Sequence, residues 1–182
     1  MGSRIPDAVV AAAARNSMMA IWERLCADPQ LASLPYKVET TLEGKIIMSP
    51  ASLRHASLQS NIVVILHALA RESGAGGEVM SECPVVTADG VKVPDVAWLS
   101  PAQSIAFTGK AAAPEAPDIC IEIKSPSNSK KEMEAKRDLY FGAGAKEVWI
   151  CDEHGALTFW RAAGKIMRSR ILAAFPARVG SI

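Results

Sequence analysis

The spacing of apolar positions changes period several times along the chain, and each change marks an element. From Asp7 to Ala27 an alanine-rich stretch reads as one or two helices with Asp7 as N-cap, stopped by Asp28-Pro29. Tyr36 to Thr41 and Lys45 to Ser49 read as a hairpin around Glu43-Gly44, ended by Pro50. Ser52 caps a helix to about Glu72, on which Leu58, Ile62, Ile65 and Leu69 recur at helical spacing and Leu66 widens the stripe. Gly74, Gly76 and Gly77 break it. Short strands follow at Glu78 to Glu82, Val85 to Thr87 and Val91 to Leu99, the last two joined by a turn at Ala88-Asp89-Gly90. Residues 100–117 read as a surface connection with one short helix near Pro101. Asp118 to Lys124 is a compact apolar strand, Ser129 to about Phe141 a helix, and Lys146 to Asp152 a further strand with Ala156 to Arg161 as hairpin partner. Strand, helix and strand in that order predict a parallel crossover, while the meander before it predicts antiparallel pairing. The expected fold is α/β: a mixed β-sheet flanked by helices, with an N-terminal helical segment and a β-hairpin.

Length and composition sharpen this picture without changing it. The chain has 182 residues, 49% of them apolar, which predicts a single domain over 1–182 with a core that needs no staples. Residues 1–30 read as an N-terminal helical extension and 162–182 as a basic tail. The formal net charge is +1, which neither requires nor excludes a nucleic-acid partner. Cys26, Cys83, Cys120 and Cys151 are too scattered for a zinc knuckle and suit a reducing cytoplasm. Arg4 before the run Ala8 to Ala14 loosely imitates a signal peptide, but Pro6-Asp7 interrupts it and Arg15 closes it early. No run approaches the ~20 apolar residues of a membrane span, so the expectation is a soluble cytoplasmic protein.

Candidate chemistry sits on the strands. Asp95 lies among apolar neighbours in Val93-Pro94-Asp95-Val96-Ala97-Trp98, and Glu122 lies inside Ile119 to Ile123. A carboxylate in such surroundings is costly to bury unless it is paired or holds a cation. Alternation puts Lys124 on the same strand face as Glu122. Two carboxylates can hold Mg²⁺ through hard oxygen ligands, and a lysine beside them can orient a water or meet developing negative charge. The plain alternative is a turn acid at Asp95 and an exposed ion pair at Glu122 and Lys124. Met133, Lys136 and Tyr140 share one helix face. Lys136 lies about seven residues into its helix, roughly 10 Å at 1.5 Å per residue, which brings it level with Glu122. It reads either as a second basic group at the site or as a lysine snorkelling to water. His55 falls on the inward face of its helix and either contacts substrate or is satisfied in a partly buried position. Glu39 either borders the site or is an exposed strand glutamate. Ser125 to Ser129 either binds phosphate or caps the next helix through Ser127 or Ser129. Arg161, Lys165, Arg168, Arg170 and Arg178 have no acid among them from 161 to 182, and read as a phosphate contact or a loosely held end.

These residues carry a resemblance. Pro94-Asp95, a gap, then Glu122-Ile123-Lys124 resembles the active-site signature of the restriction-endonuclease-like PD-(D/E)xK nucleases. More narrowly, the chain resembles the Uma-two family. The matching pieces are Tyr36-Lys37-Val38-Glu39 through Glu43-Gly44-Lys45-Ile46, Ser49-Pro50, His55, Val93 to Ala97, Ala116-Pro117-Asp118, Glu122 to Ser127, Lys136, Tyr140, Gly144, Glu147-Val148-Trp149 and Asp152. They run from about Met19 to Arg161 and are specific together rather than singly. The resemblance implies a metal-dependent phosphodiesterase. Asp95 and Glu122 would be metal ligands with the backbone carbonyl of Ile123 as a third, for Mg²⁺ or Mn²⁺. Lys124 would be the catalytic lysine, with Lys136, Glu39 and His55 in support. Many relatives lack a lysine at that position, so its presence favours an intact site.

The function expected on these grounds is cleavage of DNA phosphodiester bonds by a Mg²⁺-dependent endonuclease, acting as a homodimer to cut both strands. The alternative is a non-catalytic module that keeps the nuclease fold and binds nucleic acid or a protein partner.

Overall fold

A computed structural model describes residues 7–32, 36–50, 52–126 and 128–180, with side chains from residue 12 onward. Arg4, Pro6, the Asp7 side chain expected to cap the first helix, and the alternative cap Ser127 lie outside the described set. The elements run α1 (Asp7–Ala27), α2 (Pro29–Ala32), β1 (Lys37–Thr40), β2 (Ile46–Ser49), α3 (Leu53–Glu72), β3 (Glu78–Ser81), β4 (Val85–Thr87), β5 (Gly90–Lys92), β6 (Val96–Leu99), α4 (Pro101–Phe107), β7 (Ile119–Ile123), α5 (Lys130–Gly142), β8 (Glu147–Cys151), β9 (Leu157–Arg161) and β10 (Gly164–Ile166). Six strands form one mixed sheet in the order β10-β9-β8-β7-β6-β3. β7 and β8 are parallel and joined by α5, as the strand–helix–strand order predicts, and the other pairs are antiparallel. β1–β2 and β4–β5 are separate two-stranded antiparallel ribbons.

Alternation along the strands divides the core into layers. Ile119, Ile121, Ile123, Val96, Trp98 and Trp149 face α3, whose Leu58, Ile62, Leu66 and Ala70 are buried at a steady spacing of four. Cys120, Ala97, Leu99 and Val148 face the other way, toward Tyr140 of α5. A third cluster joins Met18 and Trp22 of α1 to Val86, Val91 and Val93, so the N-terminal helix rests on the β4–β5 ribbon.

Two sequence expectations are corrected. The strand expected from Val91 to Leu99 is broken at Val93-Pro94-Asp95, and its halves belong to different sheets. Pro94 has no N–H for a ladder. The polar backbone around it is satisfied by side chains instead: Val93 N–H donates to Glu39 Oε1 at 2.9 Å, and Gln59 Nε2 donates to the Asp95 carbonyl at 2.8 Å. The basic stretch after 161 is no loose end up to Gly180. It supplies β10 and then packs Leu172, Phe175 and Val179 into the α3-side core. Buried Glu147 fastens this segment, accepting the Arg170 N–H at 2.6 Å and the Trp149 Nε1–H at 2.9 Å.

Candidate metal and phosphodiester site

The break between β5 and β6 at Pro94 sets up the site. Pairing of β6 with β7 ends at Val96 opposite Ile121, so Asp95 and Glu122 follow next on the two strands. Asp95 Oδ2 accepts the Ile123 N–H at 2.7 Å, which holds the two strand ends together. Asp95 Oδ1 meets Lys37 Nζ at 2.5 Å and His55 Nε2 at 3.3 Å. Lys37 comes from β1, and His55 from the first turn of α3, where its N–H is capped by Ser52 Oγ. Glu122 accepts a hydrogen bond from Tyr140 Oη at 2.5 Å and lies 3.3 Å from Lys136 Nζ. Lys136 Nζ also lies 2.8 Å from Glu39 Oε1, so one ammonium bridges two carboxylates. Asp95, Glu122, Ile123, His55, Lys37 and Lys136 all line a cleft of about 620 Å³.

Three buried carboxylates, Glu39, Asp95 and Glu122, thus face two ammonium groups. Three carboxylates against two ammonium groups leave one formal negative charge, His55 not counted. Burial works to raise the Asp95 pKa, but the His55 hydrogen bond and the Lys37 ammonium outweigh it and hold the carboxyl at about 2. Burial wins at Glu122 and raises its pKa, although Lys136 and Lys37 oppose the shift. Burial works to lower the Lys37 and Lys136 pKa values, but the surrounding carboxylates prevail and raise both. Both ammonium groups therefore stay charged.

The donor set suits a hard cation. It offers two carboxylates and the main-chain carbonyl of Ile123, with open cleft beside them, and Mg²⁺ takes one or two carboxylates while keeping waters or substrate oxygens. Among the described residues no three His, Cys, Asp or Glu side chains converge as a fully protein-built metal cage requires. The cysteines are unpaired, Cys83, Cys120 and Cys151 being buried and Cys26 exposed. Burial pushes the Cys83 and Cys151 thiols up to about 12, which makes them poor ligands.

Of the residues singled out in the sequence, Asp95, Glu122, Ile123, Lys136, Glu39 and His55 come together. Glu39 is 6% exposed, so it is no surface glutamate. Lys124 does not join them. β7 ends at Ile123, and the Lys124 N–H continues toward β8, donating to the Cys151 carbonyl at 2.8 Å. Its side chain lines a separate depression with Met133, Arg137, Ile150, Thr158 and Trp160, where the Arg137 guanidinium lies 4.5 Å over the Trp160 ring. Glu122 and Lys124 share the α5 side of the sheet but diverge along it. Ser129 caps α5 in a reciprocal box with Glu132, while Ser125 and Asn128 are hydrogen-bonded across the loop at the cleft rim. His67 and His154 are exposed. Lys146, Arg161, Lys165 and Arg170 surround another depression beside the start of β8, at the opposite sheet end from Glu122.

Sequence reasoning missed four groups at the site. Lys37 was within reach, since the alternation that selects Glu39 selects Lys37 two residues earlier. Tyr140 was on the helix face already drawn through Lys136. Gln59 and Glu82 carried no signal. Gln59 acts through the Asp95 carbonyl, and the Glu82 N–H donates to the same oxygen from a left-handed backbone with φ of 52°.

Comparison with known proteins agrees with this architecture. No curated protein matches the chain. A solved structure, described as a "putative nuclease belonging to DUF820" from Anabaena variabilis ATCC 29413, superposes with a TM-score of 0.57 at 22% identity. The match covers 71% of this chain and 76% of that one, and shows a shared nuclease-like fold. Residues 22–172 match the model of the Uma2 family, whose description is "Putative restriction endonuclease", and the chain belongs to that family.

Proposed function

We propose that the protein is a Mg²⁺- or Mn²⁺-dependent endonuclease that hydrolyses DNA phosphodiester bonds at the Asp95–Glu122 cleft. The observation that carries this reading is the meeting of Asp95 and Glu122 at adjoining strand ends, in one cleft with two charged lysines. Asp95, Glu122 and the Ile123 carbonyl would hold the cation. When bound, a divalent ion supplies Lewis acidity, lowering the pKa of a water and neutralising phosphoryl charge. The chain's own residues set up that chemistry. Tyr140 and Lys136 fix the Glu122 carboxylate in place, and Glu39 fixes Lys136. His55 and the Ile123 N–H orient Asp95. Lys136 stands where an ammonium can offset charge on a scissile phosphate. Lys124, one depression away, would meet the DNA backbone beyond the cleft. Cutting both strands of a duplex calls for two such sites, hence a homodimer acting on DNA in the cytoplasm.

The test is cleavage of supercoiled and linear DNA by the purified chain with Mg²⁺ or Mn²⁺, beside Asp95→Ala and Glu122→Ala. Removing a metal ligand should cut the rate by at least about 100-fold. A second reading, a non-catalytic module binding nucleic acid or a protein, draws on the contact of every carboxylate with an ammonium, which offsets two of the three negative charges without metal. DNA binding without metal-dependent cleavage would favour it.

A further inference from the structure

We propose that Lys37 is the site's internal counter-cation: it occupies the Asp95 oxygen that a divalent ion would take, gives it up when the ion binds, and so becomes free to meet the substrate phosphate. This rests on the metal-site reading above.

The two Asp95 oxygens are unequal. Oδ2 is tied to the Ile123 main chain, so turning it to a new partner would give up the bond that joins the two strand ends. Oδ1 is held only by side chains, Lys37 Nζ at 2.5 Å and His55 Nε2 at 3.3 Å. It is the oxygen available for exchange, and an ammonium and a divalent ion drawn to it repel one another. The two lysines are unequal as well. Lys136 bridges Glu39 and Glu122 and is fixed by both. Lys37 hydrogen-bonds to Asp95 alone among the described residues. Its side chain is 13% exposed and lines the cleft, so a flexible four-carbon stem can swing into open space with no backbone change. It also projects from the β1–β2 ribbon rather than from the six-stranded sheet that carries Asp95 and Glu122.

The experiment is a Mn²⁺ titration of the full chain, by calorimetry or by the electron-spin signal of free Mn²⁺, with no DNA present. Wild type is compared with Lys37→Met, Lys37→Gln, Lys37→Arg and Asp95→Asn, each checked for a cooperative melt. Removing the competing cation should tighten Mn²⁺ binding about tenfold in both Lys37→Met and Lys37→Gln, a typical coupling between two sites. Lys37→Arg, which keeps the charge, should stay near wild type, and Asp95→Asn should lose binding. If Asp95→Asn loses binding while Lys37→Met and Lys37→Gln bind no tighter than wild type, the exchange is wrong and the metal site stands. If wild type does not bind, or Asp95→Asn binds equally well, the metal-site reading falls and the Lys37 exchange falls with it.

Discussion

Asp95 couples strand pairing to charge, and this has a consequence for stability in acid. Its folded pKa of about 2 lies below the ordinary 3.8, so on acidification the unfolded chain takes up this proton first. The stabilisation is full above about pH 4 and is lost as pH falls toward 2. It amounts to about 2 kcal/mol for a shift of this size. Glu122 shifts upward under burial and acts with the opposite sign, lowering stability as pH rises past its ordinary 4.5. Urea melts of metal-free protein between pH 5 and 2 should therefore show a shallower acid limb for Asp95→Asn than for wild type. Much of this site was legible in the sequence. A carboxylate inside an apolar strand announces a partner or a cation, and Asp95 and Glu122 both read that way. Lys124 shares the Glu122 face as alternation requires, but alternation fixes a side chain's face, not its position along the sheet. Its neighbour on that face proved to be Trp160 rather than Asp95.

At the level of elements, the cleft groups Lys37 and Glu39 depend on how the β1–β2 ribbon docks on β5. Val91 N–H donates to Thr40 Oγ1 at 2.9 Å, and Lys92 Nζ donates to the Thr40 carbonyl at 2.9 Å. The contact is close because Gly90, at φ of 83°, has no side chain: a Cβ there would sit 2.4 Å from the Thr40 carbonyl oxygen. Gly90→Ala should cost about 1–3 kcal/mol through clash and strained backbone, read as a lower urea midpoint. The same change should impair the site more than its stability cost suggests, because Lys37 and Glu39 ride on β1. Helix and strand periods predicted nearly every element to within a residue or two. Besides the unforeseen α2 and β10, the departure at Val93 to Asp95 is instructive. An unbroken apolar run hides a change of sheet, and only the proline marks where the ladder stops.

Across the whole molecule, the segment after β10 closes the core that supports the site. Phe175 is 4% exposed, and its ring centroid lies 4.7 Å from that of Trp149, whose strand pairs directly with the Glu122 strand. Phe175→Ala should destabilise the protein by about 3–5 kcal/mol, measured by urea unfolding. A charge count drew attention to the arginines of this segment and away from Leu172, Phe175 and Val179, whose long-range contacts leave no periodic mark. Among the described residues no helix is long and apolar enough to cross a membrane. A mixed sheet with helices on both faces was foreseeable from element order, whereas its six strands, with β3 at one edge and β10 at the other, were not. The measurement that bears most directly on the account is the cleavage rate of plasmid DNA by wild type and Glu122→Gln, each with Mg²⁺, Mn²⁺ and excess chelator. Gln keeps the shape of the side chain and an acceptor for Tyr140 while removing the charge. The account predicts metal-dependent cleavage by wild type, none in chelator, and a loss of at least about 100-fold in Glu122→Gln. No cleavage by wild type with either metal, or equal cleavage by Glu122→Gln, would contradict it.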